Sequence, residues 1–128
     1  MNPLTREWIE KAEADFVTAG RELRVRKLPN YDAVCFHAQQ CAEKYMKARL
    51  HAAGTPFAKT HNLIELLDSL LAVEPLWESL RGGLIALNEY AIVVRYPGES
   101  ADKPAARRAF DICKEIRGLA RKSLHLRT

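Results

Sequence analysis

Apolar residues recur at three- and four-residue intervals along almost the whole chain, with prolines and glycines falling between the periodic stretches. Trp8 or Ile9, Ala12, Phe16, Ala19 and Leu23 share one face, Asn2-Pro3 can open that segment, and Leu28-Pro29-Asn30 interrupts it. The spacing predicts a first helix over roughly residues 4–26. Asn30 then suits the cap of a second long helix over about 31–53, with Tyr31, Val34, Ala38, Cys41, Ala42 and Tyr45 as its apolar face and Gly54 and Pro56 as its stop. Thr60 can cap a shorter helix carrying Leu63, Ile64, Leu66, Leu67, Leu70 and Leu71. A fourth helix is expected to begin at Glu74-Pro75 and to run through Leu80, Leu84, Leu87, Ala91 and Val94, weakened by Gly82-Gly83, until Pro97-Gly98 forces a turn. Asp102, Lys103 and Pro104 open a last helix whose inward face is Ala109, Ile112, Cys113, Ile116, Leu119 and Ala120. No segment reads as a strand. The pattern predicts an all-α chain, an antiparallel bundle of four to five helices forming one domain over residues 1–128.

Composition adds limits to this picture. A chain of 128 residues is the size of one domain and has enough length for one core. No stretch approaches the ~20 uncharged residues that a membrane-spanning helix needs. Arg6, Glu7 and Glu10 near the start are unlike a signal peptide, so a soluble, cytoplasmic protein with no membrane association is expected. Cys35, Cys41 and Cys113 are an odd and scattered set, which fits small core residues in a reducing compartment better than disulfides. The net charge of +4 is unevenly spread: residues 103–128 carry a balance of +6 and residues 1–102 one of −2. A basic last helix is compatible with an acidic partner or a phosphate backbone.

Three segments resemble the HEPN domains of bacteria and archaea, small helical proteins. They are Cys35-Phe36-His37-Ala38-Gln39-Gln40-Cys41-Ala42-Glu43-Lys44-Tyr45-Met46-Lys47-Ala48, then Thr60-His61-Asn62-Leu63 with its leucine run, then Arg95-Tyr96-Pro97-Gly98. The resemblance implies a helical bundle that forms a homodimer, often encoded beside a small nucleotidyltransferase as a toxin–antitoxin pair. Many members of the family are ribonucleases that use an arginine followed, after four to six residues, by a histidine. This sequence departs from that pattern: after Arg95 no histidine occurs until His125, and the near misses, Arg121 and Arg117 ahead of His125, sit at the C-terminus.

The residues also suggest sites of their own. At 100° per residue, His37, Gln40, Lys44, Lys47 and His51 fall within roughly 80° on the second helix, a polar, basic stripe suited to phosphate or a partner's carboxylates, or simply to water. His37 and His51 are about 21 Å apart along a helix, so they do not share a metal ion. On the fourth helix Leu84, Asn88, Ala91 and Arg95 lie on one side, so Asn88 and Arg95 can project together near the Pro97 turn. An arginine in a mostly apolar stripe meets a carboxylate, a helix end or a ligand phosphate. Tyr96 and Tyr90 could stack a base there. His61 is expected in the first turn of the third helix, where backbone N–H groups favour an anion. On the last helix Arg107, Lys114, Arg117 and Arg121 align with Phe110, compatible with RNA or an acidic surface.

There is no glycine-rich phosphate loop, zinc-helix motif, serine elbow or Cys-x-x-Cys pair, and no metal or cofactor is expected. The candidate ligand-binding set is therefore Arg95, Tyr96, Asn88, His37, Gln40, Lys44, Lys47 and His61. The first functional reading is a HEPN-type binding module, a homodimer that meets a nucleotide, RNA or a paired nucleotidyltransferase without hydrolysis. The alternatives are a metal-independent ribonuclease toxin, with Arg95 stabilising phosphate charge and His37 or His61 as the acid–base group, and a purely structural oligomerisation domain.

Overall fold

A computed structural model describes residues 1–94 and 96–128. The helices are α1 (Pro3–Leu23), α2 (Tyr31–Ala52), α3 (Leu63–Leu70), α4 (Arg81–Val93) and α5 (Lys103–Ser123), with a 3-10 segment, Pro75–Leu80, leading into α4. Among the described residues there is no strand. Four of the five helices start at an Asn or Asp whose side chain accepts a backbone N–H of the first turn: Asn2, Asn30, Asn62 and Asp102. That removes one of the unpaired donors every helix start exposes. Pro3 and Pro104 occupy first-turn positions that need no donor.

Two boundaries differ from the sequence expectation. Thr60 is not the cap of α3. Its hydroxyl instead accepts the Asn62 N–H and donates to Glu65, and Asn62 caps the helix two residues later. Asn is the stronger N-cap, since its short carbonyl reaches the N2 amide. The helix expected from Glu74-Pro75 is also divided: the chain makes tight 3-10 turns up to Leu80 and becomes α-helical at Arg81. Gly82-Gly83 thus lies in the first turn of α4, and Gly83 faces the Ile112 side chain of α5.

The contacts fix the helix directions. Asp15 meets His37 and Lys44, and Thr5 meets His51, so α1 and α2 are antiparallel. Arg49 reaches Glu74 beyond α3, whereas Gln39 reaches His61 before it, so α3 runs the same way as α2. The link 53–62 makes this possible by doubling back along α2, with Gly54 in the left-handed region at φ 68° and Phe57 packed edge-on against Trp8. Arg81 meets Asp68 and Asn88 meets Leu63, which makes α4 antiparallel to α3. The α5 helix then returns beside α2: Asp32 accepts the Ala101 N–H at one end and Arg121 donates to Tyr45 towards the other.

The second helix is the axis of the bundle. Val34, Cys35, Ala38, Cys41, Ala42, Tyr45, Met46, Ala48 and Leu50 have no exposure. Small residues of α5, Ala109, Cys113 and Ala120, join the same core with Ile116. From α3 come Leu63, Leu66, Leu67 and Leu70, each buried and each contributing roughly 1.5–3 kcal/mol by leaving water. All three cysteines are buried and unpaired. Among the described residues no helix is long and apolar enough to cross a membrane.

Candidate functional site

One corner of the bundle collects polar side chains around a concavity. It lies where α2 passes the start of α3 and the last turns of α4, and a cavity of about 190 Å³ there is lined by Gln39, His61, Asn62, Asn88, Ala91 and Ile92. Beneath it sits Glu43, whose side chain is 4% exposed, while that of His61 is 78% exposed. The Glu43 carboxylate takes four contacts. His61 Nδ1 lies 3.0 and 3.2 Å from its two oxygens, Gln39 Nε2 donates at 3.3 Å and Lys47 Nζ at 3.1 Å. A carboxylate removed from water needs such compensation. Lys47 is buried too, and its ammonium lies 5.4 Å from the centre of the Trp8 ring.

A carboxylate only accepts, so Nδ1 of His61 carries the proton of this contact and Nε2 is directed away from Glu43. His61 is further fixed through its backbone, because Gln39 Nε2 donates to the His61 carbonyl at 2.9 Å. Gln40 Nε2 in turn donates to Gln39 Oε1 at 2.8 Å. On the opposite wall, Asn88 Oδ1 accepts the Leu63 N–H at 3.2 Å and Asn88 Nδ2 donates to Asn62 Oδ1 at 3.1 Å. Asn88 thereby ties α4 to the start of α3. His61 stands one residue outside the Asn62 cap, not in the first turn of α3 as the sequence suggested, and it is turned back towards α2.

Of the candidate residues, Gln40, Lys47 and His61 belong to the Glu43–Gln39 network, and Asn88 joins Asn62 on the opposite wall of the same cavity. His37 and Lys44 do not: both turn to Asp15 of α1, at 2.7 and 2.5 Å, and His51 turns to Thr5 at 2.6 Å. The polar stripe of α2 is therefore split between two neighbours, because α2 is covered on nearly every side. Tyr96 is exposed beyond α4, and Phe36, Ile92 and Val93 are exposed large apolar residues on the two helices that frame the cavity. Arg95 lies outside the described residues. Gln39, Glu43 and Asn62 were not singled out from the sequence.

The basic row of α5 is also divided. Arg117 makes two hydrogen bonds to Glu13, at 2.6 and 2.8 Å, and its guanidinium lies 4.4 Å from the Phe16 ring centre, while Arg121 reaches Tyr45 and the Arg127 carbonyl. Burial would raise the Glu13 carboxyl, but hydrogen bonds from Arg117 and Tyr45 and the charges of Arg117 and Arg121 outweigh it and hold Glu13 below the usual carboxylate range. Phe110 stacks on Phe16 at 5.2 Å, over Gly20, where a Cβ would come within 3.3 Å of the Phe110 ring. Arg107 and Lys114 remain exposed. Among the described residues no three His, Cys, Asp or Glu side chains converge as a metal site would require.

The sequence of residues 5–123 matches the HEPN domain model. The chain belongs to the HEPN domain family. Its helical bundle is similar to the crystal structure of TT1696 from Thermus thermophilus, with a TM-score of 0.79 and 27% identity, over 93% of this chain and 97% of that one. No curated protein matches the chain. In this HEPN domain the helix-two segment and the Thr-His-Asn-Leu segment noted in the sequence are joined by the Glu43–His61 and Gln39–His61 contacts.

Proposed function

We propose that this HEPN domain is a binding module that takes a nucleotide or RNA at the corner between α2, α3 and α4, acts as a homodimer in the cytoplasm, and pairs with a small nucleotidyltransferase. Membership of the HEPN family supports a helical module with a nucleotide- or RNA-related role in general. The observation that carries the reading is the prearranged polar wall of the cavity: Gln39 is bonded to His61 and Asn88 to Asn62 before any ligand arrives, beside the apolar surface of Ala91 and Ile92. Such a combination of fixed polar groups and an apolar wall is what ligand sites have in common. In the sequence Arg95 and Tyr96 come just after Val94, the cap of α4, and the proposed site includes both. The exposed Phe36, Ile92, Val93 and Tyr96 support a covered face around it, as a homodimer would give.

Titration of the purified protein with adenine nucleotides and short single-stranded RNA tests this, together with sedimentation and co-purification with the product of the adjacent reading frame. Saturable binding to one of these ligands by a dimer is expected. A monomer at micromolar concentration that binds none of them overturns the reading. One observation favours the ribonuclease alternative: the buried Glu43 carboxylate fixes an exposed histidine with Nε2 outward, an arrangement suited to proton transfer. Cleavage of RNA in the presence of a chelator, lost in His61→Gln, would move the assignment there.

A further inference from the structure

Away from the corner, α1 and α5 lie side by side and antiparallel, with Phe110 stacked on Phe16 over Gly20 and Ala106 sharing a small core with Leu23. That register brings Arg24, the cap residue of α1, level with Arg107 of α5. A shallow concavity of about 310 Å³ opens between the two helices and is lined by Phe16, Val17, Gly20, Arg24, Phe110 and Lys114. At 100° per residue Lys103, Arg107 and Lys114 fall within about 40° of one another on the stripe of α5 that carries Phe110, and they span about 16 Å of its length. Across the groove Arg21 and Arg24 flank Val17 on α1. All five cations are exposed. Among the described residues none of them has a carboxylate within ion-pair distance. The same stripe of α5 behaves differently one turn further on, where Arg117 and Arg121 are both taken by Glu13. Of the other acids on this side, Glu22 accepts the Asn30 N–H, and Asp111 stands exposed on the neighbouring stripe of α5. The groove is thus closed at one end by a neutralised cluster and carries an excess of positive charge along the rest.

Five like charges on one face repel one another, and a polyanion is what relieves that repulsion. A protein partner is the poorer fit, because protein interfaces are anchored by aromatic and aliphatic side chains seated in pockets. Here both faces of Phe16 are already covered, by Phe110 and by Arg117, and Val17, 49% exposed, is the main apolar surface left. Nucleic-acid interfaces are more polar and far more positive than protein ones. We propose that the α1–α5 groove is a track for the phosphate backbone of a single RNA strand, gripped by Arg21, Arg24, Lys103, Arg107 and Lys114 without reading its sequence. The apolar strip of Phe16, Val17 and Phe110 between the cations meets sugars and bases that a single strand exposes and a duplex keeps inside. That the strand is RNA rests on the proposed function, whereas the backbone assignment rests on the charge pattern of the groove. The track shares no residue with the corner between α2, α3 and α4, so the two sites stand or fall separately.

The test is fluorescence anisotropy with two unrelated, labelled single-stranded RNAs of about 12 nucleotides, a duplex of the same length, and poly-aspartate as competitor. The two strands are expected to bind equally. Their affinity should fall about a hundredfold between about 50 and 200 mM salt, a logarithmic slope of about −3.5 for five phosphate contacts to a single strand. The triple variant Arg24→Gln/Arg107→Gln/Lys114→Gln changes only exposed side chains, so it should melt as the wild type does, bind both strands at least tenfold more weakly and reduce the slope to about −1.5. Lys11→Gln/Lys59→Gln removes exposed cations from outside the groove and should change binding less than threefold. No binding at low salt, a triple variant that binds as the wild type does, or an equal loss in the Lys11/Lys59 variant overturns the track. So do a duplex that binds as tightly as the single strands, which removes the single-strand assignment, and poly-aspartate that displaces RNA at equal charge, which points to an acidic protein instead. Adenine nucleotides separate the two sites. If they bind while RNA is indifferent to the triple variant, the corner stands and the track falls; if RNA is lost in that variant and no nucleotide binds the wild type, the track stands and the corner falls.

Discussion

Lys47 and Glu43 are 7% and 4% exposed and 3.1 Å apart, so each is the means by which the other tolerates being out of water. Replacing Glu43 with Leu leaves an ammonium with little solvent and only the Trp8 ring for company. Breaking a buried pair from one side costs about 3–5 kcal/mol. For a domain of this length that is a fall in melting temperature of about 10–20 °C. Lys47→Met strands the carboxylate less completely, because His61 and Gln39 still meet it, and should cost about 1–3 kcal/mol. The double variant Glu43→Leu/Lys47→Met removes both charges and keeps the buried volume, and it should return to within about 1–2 kcal/mol of the wild type, since apolar replacements of buried pairs are often neutral. Urea unfolding of the four proteins, analysed as a double-mutant cycle, gives the coupling directly. Additive losses would refute the argument, and so would a Glu43→Leu protein within about 1 kcal/mol of the wild type.

Three further outcomes follow from other parts of the molecule. Because Glu13 is held below its ordinary range in the folded state, its contribution is complete above the unfolded value of about 4.3 and is lost as pH falls through the folded one; Glu13→Gln should flatten the loss of stability in acid, and an unchanged acid profile counts against the pairing. Burial, then the charges of Asp32 and Asp102, push the Cys35 thiol up to about 11, and burial with the neighbouring Cys113 raises Cys41, so a thiol reagent at about pH 8 should label neither until denaturant is added; rapid labelling of the native protein would contradict the packing. Arg95→Ala should leave melting nearly unchanged and weaken nucleotide or RNA binding tenfold or more, as loss of a charge-assisted contact of about 1.5–3 kcal/mol implies; a large fall in melting temperature without any ligand would make Arg95 structural.

The helices were legible because each carries a 3.6-residue apolar period and is punctuated by Pro, Gly, Asn or Asp. What could not be read was which polar residue meets which. The row His37, Gln40, Lys44, Lys47, His51 looks like one surface on a helical wheel, but α2 is enclosed, and the row is shared between α1 and the α3 side. Two signs of this were present in the residues. Asp15 stands among Ala12, Phe16 and Ala19 on the apolar face of α1, and Glu43 falls within about 60° of Met46 and Leu50 on α2. A carboxylate embedded in an apolar stripe announces a buried partner. The partners themselves come from 22 and 18 residues away in the His37–Asp15 and His61–Glu43 contacts, a separation no local pattern reports. Thr60 and Asn62 both suit a cap by residue type, and it is the turn at Thr60, whose hydroxyl takes the Asn62 N–H, that leaves the position to the stronger cap.

The placing of α2 has a consequence for motion. On one side it packs extensively against α1 and α5, while on the other it meets α3 and α4 through smaller areas. The α3–α4 pair is thus the more lightly held side of the bundle, although its leucines share the common core, and the cavity lies where it meets α2. Elements with less buried contact open at lower free energy than the whole. Amide hydrogens of α3 and α4 should therefore exchange through partial opening, at rates that leave α1, α2 and α5 protected. A ligand bridging His61, which is held to α2, and Asn88 of α4 would slow exchange in α3 and α4 far more than in α1, α2 and α5, which makes the corner a place where occupancy is converted into stiffness.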